Sequence, residues 1–205
     1  MKKNKMYKIS FLTVLFFLFI GANAQNVDID LLRHINLNRD KLLDPIFIFI
    51  TNSATPISIV IPIILFALGL FRKGKILQKK SMYIALSVIT SSLISSCLKI
   101  VVNRVRPFIT YSFIEKMAYV TSPSFPSGHT AVAFVIATSL SIAFPKWYVI
   151  TFSFLWAISV GYSRMFLGVH YPSDVLAGAA IGSCSAYLVY KISKYVNMKH
   201  TQKTP

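Results

Sequence analysis

The chain has 205 residues, of which 55% are hydrophobic and only 14% are charged, whereas about a quarter of the residues of an ordinary soluble domain carry a charge. The apolar residues are gathered into long runs, which excludes a water-soluble domain and predicts an all-α bundle of membrane-spanning helices. Lys and Arg number 22 against 6 Asp and Glu, for a formal charge of +16. In a soluble protein this excess would indicate nucleic-acid binding, but in a membrane protein it indicates how the chain is oriented.

The first 24 residues are typical of a secretory signal peptide. Lysines precede an apolar stretch from Ile9 to Ala22, and Ala22-Asn23-Ala24 has the small-x-small form of a cleavage site. The alternative is an uncleaved first membrane helix, although the apolar stretch is shorter than the ~20 residues that a span needs. Either interpretation places Gln25 outside the cytoplasm.

The next segment, Asp28–Asp44, interleaves apolar and charged residues at roughly the helical period. This pattern is typical of an amphipathic helix that lies in the membrane interface. The path of residues 45–55 stays open, because Asn52, Ser53 and Pro56 interrupt an otherwise apolar run.

Five membrane spans are predicted after this helix, so the chain has six apolar segments in all when the signal peptide is included. The spans are about Pro56–Phe71, Ser81–Val102, His129–Phe144, Trp147–Tyr162 and Val175–Val196. Short connectors such as Pro145-Lys146 make neighbouring spans antiparallel, which favours one compact bundle over residues 25–200 and a short tail over 201–205. Gly178 and Gly182 form a GxxxG motif that is typical of close helix packing.

Threading five spans from an external start predicts a multi-pass protein of the cytoplasmic (inner) membrane. The cytoplasmic side then holds basic residues and no acid: Arg72, Lys73, Lys75, Lys79, Lys80, Lys146, Lys191, Lys194, Lys199 and Lys203. The opposite side holds every acid: Asp28, Asp30, Asp40, Asp44, Glu115 and Asp174. This bias agrees with the orientation that the signal peptide implies, so most of the charge sets topology and no nucleic-acid partner is expected.

The two cysteines, Cys97 and Cys184, fall inside predicted spans at depths that differ by roughly 9 Å, given ~1.5 Å rise per residue. A disulfide is therefore not expected. Both are interpreted as small buried apolar residues.

A first cluster of polar residues lies at the outer end of the second predicted span, between Lys99 and Pro107. Lys99 and Arg106 are seven residues apart, which on a helix is two turns and nearly the same face. Two cations held together without an acidic partner need an anion, and the planar guanidinium of Arg suits phosphate or carboxylate. The alternative is a pair of interfacial cations that reach lipid phosphates.

A second cluster, Pro126-Ser127-Gly128-His129, opens the third predicted span. The first turn of a helix presents free backbone N–H groups and the positive end of the helix dipole, where an oxyanion binds favourably. Ser127 adds a hydroxyl, and His129 can carry a proton because its unperturbed pKa is ~6.5. The alternative is a helix-capping serine beside an interfacial histidine.

A third cluster joins the last two predicted spans and contains Ser163, Arg164, His170 and Asp174. Asp174 follows His170 by four residues and can hydrogen-bond to its ring. A carboxylate that fixes one ring nitrogen leaves the other free and basic, which prepares an imidazole as a nucleophile or a base. Arg164 adds a third cation. The alternative is a structural His–Asp pair.

The predicted topology gathers all three clusters at the outer face of the membrane. Three cations, two histidines, one carboxylate and a helix N-terminus are the components of a phosphoryl-transfer site. A metal site is disfavoured, because two histidines and one acid that are each accompanied by cations bind a metal ion poorly. We therefore expect chemistry without a metal or another cofactor.

The three clusters resemble, in order and spacing, the signature KxxxxxxRP, PSGH and SRxxxxxHxxxD of the type 2 phosphatidic acid phosphatase superfamily, which also contains the vanadium haloperoxidases. Every signature position is present between Lys99 and Asp174, and the five-span layout is similar to that of bacterial membrane members. The resemblance implies that residues 25–200 form one membrane domain of this superfamily.

The resemblance also implies a role for each residue of the signature. His170 would attack phosphorus and form a phosphohistidine, Asp174 would orient its ring, and His129 would protonate the departing oxygen and then help to activate water. The remaining groups would hold the phosphate oxygens: Lys99, Arg106, Arg164, the Ser127 hydroxyl and the backbone N–H groups of Gly128 and His129. Arg104 and Lys116 lie outside the signature and are expected to contact lipid head groups at most.

The substrate implied by the resemblance is an envelope lipid phosphate: undecaprenyl diphosphate, lipid A phosphate, phosphatidylglycerol phosphate or phosphatidic acid. The signature does not separate these lipids, although an extracytoplasmic site slightly favours undecaprenyl diphosphate or lipid A. Specificity is expected to lie in Phe108–Phe125 and in the Asp28–Asp44 helix. Apart from lipids no partner is predicted, and the sequence does not indicate an oligomeric state.

Two other functions are compatible with parts of the pattern. A haloperoxidase would bind vanadate in place of phosphate, but the relatives with that activity are soluble. A non-catalytic carrier of anionic lipids would use Lys99, Arg106 and Arg164 for binding alone, and it would give His170 and Asp174 no role.

Overall fold

The structure is a computed structural model that describes residues 26–201, so the predicted signal peptide lies outside the described residues. Within that range all the regular secondary structure is helical, as the apolar runs predict. Helix α1 covers residues 26–37, and a 3-10 turn covers Lys41–Leu43. The remaining helices are α2 (Asp44–Asn52), α3 (Ala54–Phe71), α4 (Lys75–Val102), α5 (Pro107–Thr110), α6 (Gly128–Ala143), α7 (Trp147–Phe166) and α8 (Pro172–Thr201).

The residues whose path the sequence left open extend the first span. Helix α2 leads into α3 at Ser53, whose backbone N–H still donates to Phe49 O at 3.1 Å. Pro56 does not interrupt the chain because it falls in the first turn of α3, where a missing N–H costs little. The apolar segment Lys41–Phe71 is therefore 31 residues long and begins well before the predicted start at Pro56.

Four of the predicted spans correspond to helices that are long and apolar enough to cross a membrane, and the fifth, α6, has only 16 residues. Helix α6 lies at the centre of the bundle and packs against α3, α4, α7 and α8. Its small and branched side chains are almost fully buried there, including Ala133, Val135 and Ile136. The all-α membrane bundle predicted from the sequence is thus confirmed.

The GxxxG motif of the last span is a packing motif, as predicted. A Cβ atom added at Gly178 would lie 2.5 Å from the backbone oxygen of Ser127, and one added at Gly182 would overlap the backbone oxygen of Ala131. Only glycine allows α8 to approach α6 so closely. This contact brings the start of α8 beside the start of α6.

The amphipathic segment differs in part from its prediction. It is helical only over residues 26–37, and Asp40 then accepts a hydrogen bond from Leu42 N at 2.9 Å to start the 3-10 turn. Its inner face is not at a lipid interface, because Leu32 is fully buried against Ile114 and Tyr171. Helix α1 is therefore docked on the loops that carry the polar clusters.

The prediction that both cysteines are buried is wrong. Cys97 and Cys184 are free thiols on exposed faces of α4 and α8. In a membrane bundle a helix can turn an apolar residue outward without cost, since the surroundings are apolar too. Position within a span therefore does not determine burial.

Candidate active site

The connection between α7 and α8 places His170 and Asp174 side by side in the interior. His170 is 2% exposed and Asp174 is fully buried in the first turn of α8, with 3.4 Å between His170 Nδ1 and Asp174 Oδ2. An ionised carboxylate can only accept, so Nδ1 carries the ring proton. Arg106 Nη1 lies 3.3 Å from Nε2, and since a guanidinium can only donate, Nε2 presents its lone pair.

The imidazole of His170 is neutral at physiological pH. Burial lowers its pKa to about 3, and the charges of Arg164 and Arg106 act in the same direction, against the hydrogen bond and charge of Asp174, which raise it. A neutral ring with a fixed tautomer keeps the Nε2 lone pair available. A ring in this state can act as a nucleophile or as a base, but not as a proton donor at neutral pH.

Lys99 and Arg106 meet as predicted, but for a different reason. Helix α4 ends at Val102, and Asn103 adopts a left-handed conformation with φ 43°, so the two cations do not share one helix face. Instead the chain turns, and the loop at Pro123 receives both: Lys99 Nζ donates to Pro123 O at 2.6 Å and Arg106 Nη2 at 3.5 Å. The loop around Pro123 therefore brings the two cations together.

The guanidinium of Arg106 is buried and held by backbone carbonyls. Its Nε donates to Ser122 O and its Nη1 to Val169 O, both at 2.7 Å. These neutral acceptors fix the plane of the group without cancelling its charge. Arg106 therefore presents a positive charge next to the Nε2 atom of His170.

Arg164, in the last turn of α7, is 2% exposed. Its Nη1 donates to the Thr51 hydroxyl at 2.5 Å, while its buried Nε has no hydrogen-bond partner in the described part of the chain. A buried donor without an acceptor is unfavourable. Arg164 is thus a buried cation that an anion would satisfy.

The start of α6 supplies backbone donors and the second imidazole. Ser127 is the N-cap residue, but its hydroxyl does not cap the helix and instead bonds with Thr130 Oγ1 at 2.8 Å. Its expected contact with phosphate stays a prediction. Gly128 and His129 line a pocket of about 160 Å³ together with Lys99.

The two imidazoles belong to one site. Lys99 lines the pocket of His129 and shares the carbonyl of Pro123 with Arg106. Arg106 in turn lies 3.3 Å from His170 Nε2. The backbone N–H of Ser127 donates to Asp174 O at 3.0 Å, which joins the second cluster to the third. The structure therefore brings together, at one end of the bundle, all the residues that the sequence singled out.

Sequence reasoning missed several groups that surround Asp174. Its Oδ2 accepts from the Ser124 hydroxyl at 2.5 Å and from Tyr171 N at 3.1 Å. Its Oδ1 accepts from Arg104 Nη1 at 2.7 Å. The expectation that Arg104 contacts only lipid head groups is wrong, because the folded loop turns it inward toward buried carboxylates. No sequence signal identifies Ser124, which lies between two motifs.

Lys116 lies on the outer loop, as expected for a residue outside the signature. Its Nζ is 4.7 Å from the centroid of the Phe108 ring, and the side chain is exposed. It borders a pocket of about 570 Å³ that Arg104 and Arg106 also line. A head-group contact for Lys116 stays a prediction.

No metal-binding cluster is found between residues 26 and 196. A metal ion needs several His, Cys, Asp or Glu side chains directed at one point, and no three of them converge in this part of the chain. The two histidines of the site are instead surrounded by cations. The donor set therefore does not fit a metal cofactor.

Comparison with known proteins identifies relatives over most of the chain. The profile of the PAP2 superfamily matches residues 80–198. The lipid A 4'-phosphatase of Bacteroides thetaiotaomicron is 34% identical over 117 residues, which span 54% of this chain and 52%, or about half, of the relative. The undecaprenyl-diphosphatase of Sulfolobus acidocaldarius is 28% identical over 89% of this chain and 87% of its own length.

A solved structure shares the arrangement of helices. The transmembrane PAP2 type phosphatidylglycerolphosphate phosphatase from Bacillus subtilis superimposes with a TM-score of 0.73 at 29% sequence identity. The superposition covers 89% of this chain and 94% of the other. The likeness therefore extends beyond the motifs to the whole bundle.

Proposed function

The chain belongs to the PAP2 superfamily, and on this premise we propose that it is an integral-membrane lipid phosphatase that acts through a phosphohistidine at His170. The observation that carries the proposal is the environment of this ring, whose Nδ1 is bound to Asp174 while its Nε2 faces Arg106. The relatives' names support hydrolysis of a lipid phosphate or diphosphate. This chain shares signature motifs and a fold with these relatives, which supports the same chemistry for it.

In the proposed first step, Nε2 of His170 attacks phosphorus and a P–N bond forms. The bond from phosphorus to the lipid oxygen breaks, and His129 donates a proton to that oxygen. In the second step His129 takes a proton from water, the water oxygen attacks phosphorus, and the P–N bond breaks. Inorganic phosphate leaves, and both imidazoles return to their starting states.

The cations and backbone donors would stabilise the transition state. Lys99, Arg106 and Arg164 are fixed before substrate binds and would bind the three equatorial oxygens as charge spreads over them. The backbone N–H groups of Gly128 and His129, with the Ser127 hydroxyl, would complete the set. We propose that no metal takes part, since cations of the protein already supply the positive charge.

We propose that the site faces the exterior or periplasm, at the head-group level of the outer leaflet of the cytoplasmic membrane. Two features support this orientation: the basic connectors Arg72–Lys80 and Pro145-Lys146 lie at the other end of the bundle, and a signal-like segment precedes residue 26. A lipid whose phosphate lies at this depth can enter sideways between helices.

Among envelope lipids, undecaprenyl diphosphate and lipid A phosphate are the substrates we propose first. Relatives named for each of them match this chain. Phosphatidylglycerol phosphate and phosphatidic acid are retained for comparison, because a structural relative is named for the first of these. The pocket beside Lys116 is open enough to admit a bulky head group.

The test is phosphate release by the purified full chain in detergent from these four lipids, with and without a chelator. We expect the wild type to hydrolyse at least one of them with the chelator present, and His170→Ala to be inactive. His34→Ala is the matched control, since His34 is exposed and its side chain is hydrogen-bonded to that of Asn38, away from the site.

Equal phosphate release by the His170→Ala variant and the wild type would overturn the proposed role of His170, and no release from any of the four lipids by the wild type would favour a carrier. A requirement for added vanadate would favour a haloperoxidase. Loss of activity in the chelator would contradict the metal-free mechanism.

A further inference from the structure

Asp28, in the first turns of α1, is a buried acid that no motif predicts to be functional. It is 7% exposed, although α1 lies on the outside of the bundle. Its Oδ1 accepts from Ser173 N at 2.7 Å, and its Oδ2 accepts from Arg104 Nη2 at 2.8 Å and from the Ser173 hydroxyl. A residue near the start of α1 thus reaches the first turn of α8.

Arg104 connects Asp28 to Asp174. While its Nη2 pairs with Asp28, its Nη1 donates to Asp174 Oδ1 and to the Ser173 hydroxyl, each at 2.7 Å. The guanidinium also lies over the Tyr171 ring, 3.9 Å from its centroid. A planar fork held on both edges and on one face has a single orientation.

Arg104 is one of three groups that orient the Asp174 carboxylate, together with the Ser124 hydroxyl and Tyr171 N on Oδ2. Arg104 engages Oδ1, which leaves Oδ2 directed at His170 Nδ1. The His170 contact, at 3.4 Å, is longer than the 2.7 Å bond to Arg104. Arg104 holds the other oxygen of the carboxylate and thus adds to the bonds from Ser124 and Tyr171 N that set the geometry of the longer His170 contact.

The helix does not need Asp28 in order to dock. Leu32 is fully buried, and the Asn36 amide donates to Glu115 O at 3.1 Å and to Phe166 O at 3.0 Å. These contacts lie one to two turns further along α1. Loss of the Asp28 charge should therefore leave α1 in place.

We infer that Asp28 and Arg104 are positioning residues of the active site: Asp28 holds Arg104, and Arg104 holds the Asp174 carboxylate in the orientation that keeps the proton on Nδ1 of His170. The inference rests on the proposed function, since it assigns His170 the role of nucleophile. It makes α1 a part of the catalytic unit and not only a membrane-interface helix. Neither residue is proposed to bind the phosphoryl group that His170 attacks.

The test compares Asp28→Asn with Asp30→Asn in the full chain. Both substitutions remove one negative charge from α1, but Asp30 is exposed and makes no ion pair between residues 26 and 196. We expect Asp28→Asn to lower kcat about 10–100-fold with KM changed less than about twofold, as for residues that orient a catalytic group. Asp30→Asn should match the wild type in activity and in Tm. Asp28→Asn should also have a lower Tm, because it breaks a buried ion pair, so kcat is compared at a temperature at which both variants are folded.

Substitutions of Arg104 provide a second test. Arg104→Lys keeps a charge that can reach one carboxylate and should retain more activity than Arg104→Gln. The double variant Asp28→Asn with Arg104→Gln should lose little more than Arg104→Gln alone, because both changes break one connected unit. If the activity losses of the two single variants were fully additive in the double variant, Asp28 would not act through Arg104.

A readout without turnover separates this inference from the proposed function. With ¹⁵N-labelled histidine, the His170 ring nitrogens should shift in Asp28→Asn and not in Asp30→Asn, whether or not a substrate has been found. Unchanged His170 shifts in Asp28→Asn, or a kcat equal to that of Asp30→Asn in an active enzyme, would overturn the positioning role. Inactivity of the wild type on every lipid would count against the proposed function alone.

Discussion

Two groups of cations lie at the same end of the bundle and differ in what neutralises them. Arg39 and Arg104 each bridge two carboxylates. Lys99, Arg106 and Arg164 make no ion pair with a carboxylate in the described part of the chain, and their polar contacts are carbonyls, a hydroxyl or an imidazole. The first group joins elements of the protein, whereas the second group retains its charge for an anion.

The largest effect is expected from Arg164, the most buried member of the unpaired group. Arg164→Met, which keeps most of the volume, should lower kcat/KM about 10²–10³-fold, since one charged donor to the transition state is lost. Its Tm should not fall, because the variant also removes an unsatisfied buried donor. Phosphate release and thermal unfolding measure the two quantities.

The control for Arg164→Met is Arg33→Met, which removes an exposed arginine from α1. Wild-type activity in the control and a large loss in Arg164→Met are expected. A similar loss in both variants would indicate that overall charge, and not the unpaired site, matters.

For the paired group we expect a large loss of stability and little change in kcat. Arg39→Met leaves Asp44 buried without its partner, which should lower the free energy of unfolding by about 3 kcal/mol. The kcat of the molecules that remain folded should change little, because Arg39 does not reach His170. Chemical unfolding and activity at low temperature measure the two quantities. A stable Arg39→Met variant with a low kcat would contradict the view that Arg39 stabilises the fold and takes no part in catalysis.

Added anion should distinguish the two groups directly. Inorganic phosphate should raise the Tm of the wild type and of Arg39→Met. At a phosphate concentration of 100 times the Kd, the free energy of unfolding should increase by about 2.7 kcal/mol. The gain should be much smaller in Arg164→Met. An equal gain in all three would mean that phosphate binds elsewhere, and chloride at the same ionic strength is the control.

A gradual effect is expected in the pH dependence of the free energy of unfolding. Because the folded-state pKa of His170 is about 3 and the unfolded value is about 6.5, the unfolded chain binds more protons between these limits. Stability should therefore rise with pH across this window, by up to about 1.4 kcal/mol per pH unit from this residue, and be fully present above pH ~6.5.

His170→Asn should reduce that slope between pH 4 and 6, and His34→Asn should not. The groups that face the ring are Arg106, Arg164 and Asp174, and all three are unchanged in the variant. Equal slopes for wild type and His170→Asn would contradict a neutral buried ring.

The sequence predicted the bundle and the principal site residues because both leave local patterns. Spans appear as apolar runs, and the residues of the three clusters keep fixed spacings within short segments. Even so, Lys99 and Arg106 meet through the loop at Pro123 and not through the helical spacing that predicted them. The two residues lie together as predicted, but they do not share one helix face as their spacing would suggest.

What the sequence did not predict depends on contacts between distant segments. Asp28 and Asp174 are 146 positions apart, and neither the amphipathic period of α1 nor the signature shows that Arg104 joins them. The burial of Cys97 and Cys184 was likewise misjudged, because a helix in lipid can expose apolar residues on any face. Such properties follow from tertiary packing alone.

The most direct test of the central claim is to trap the phosphoenzyme. Wild-type protein mixed with a ³²P-labelled lipid substrate and quenched within milliseconds should carry alkali-stable, acid-labile phosphate on His170, and His170→Ala should carry none. Label on another residue, or turnover with no covalent phosphate at any quench time, would contradict the account.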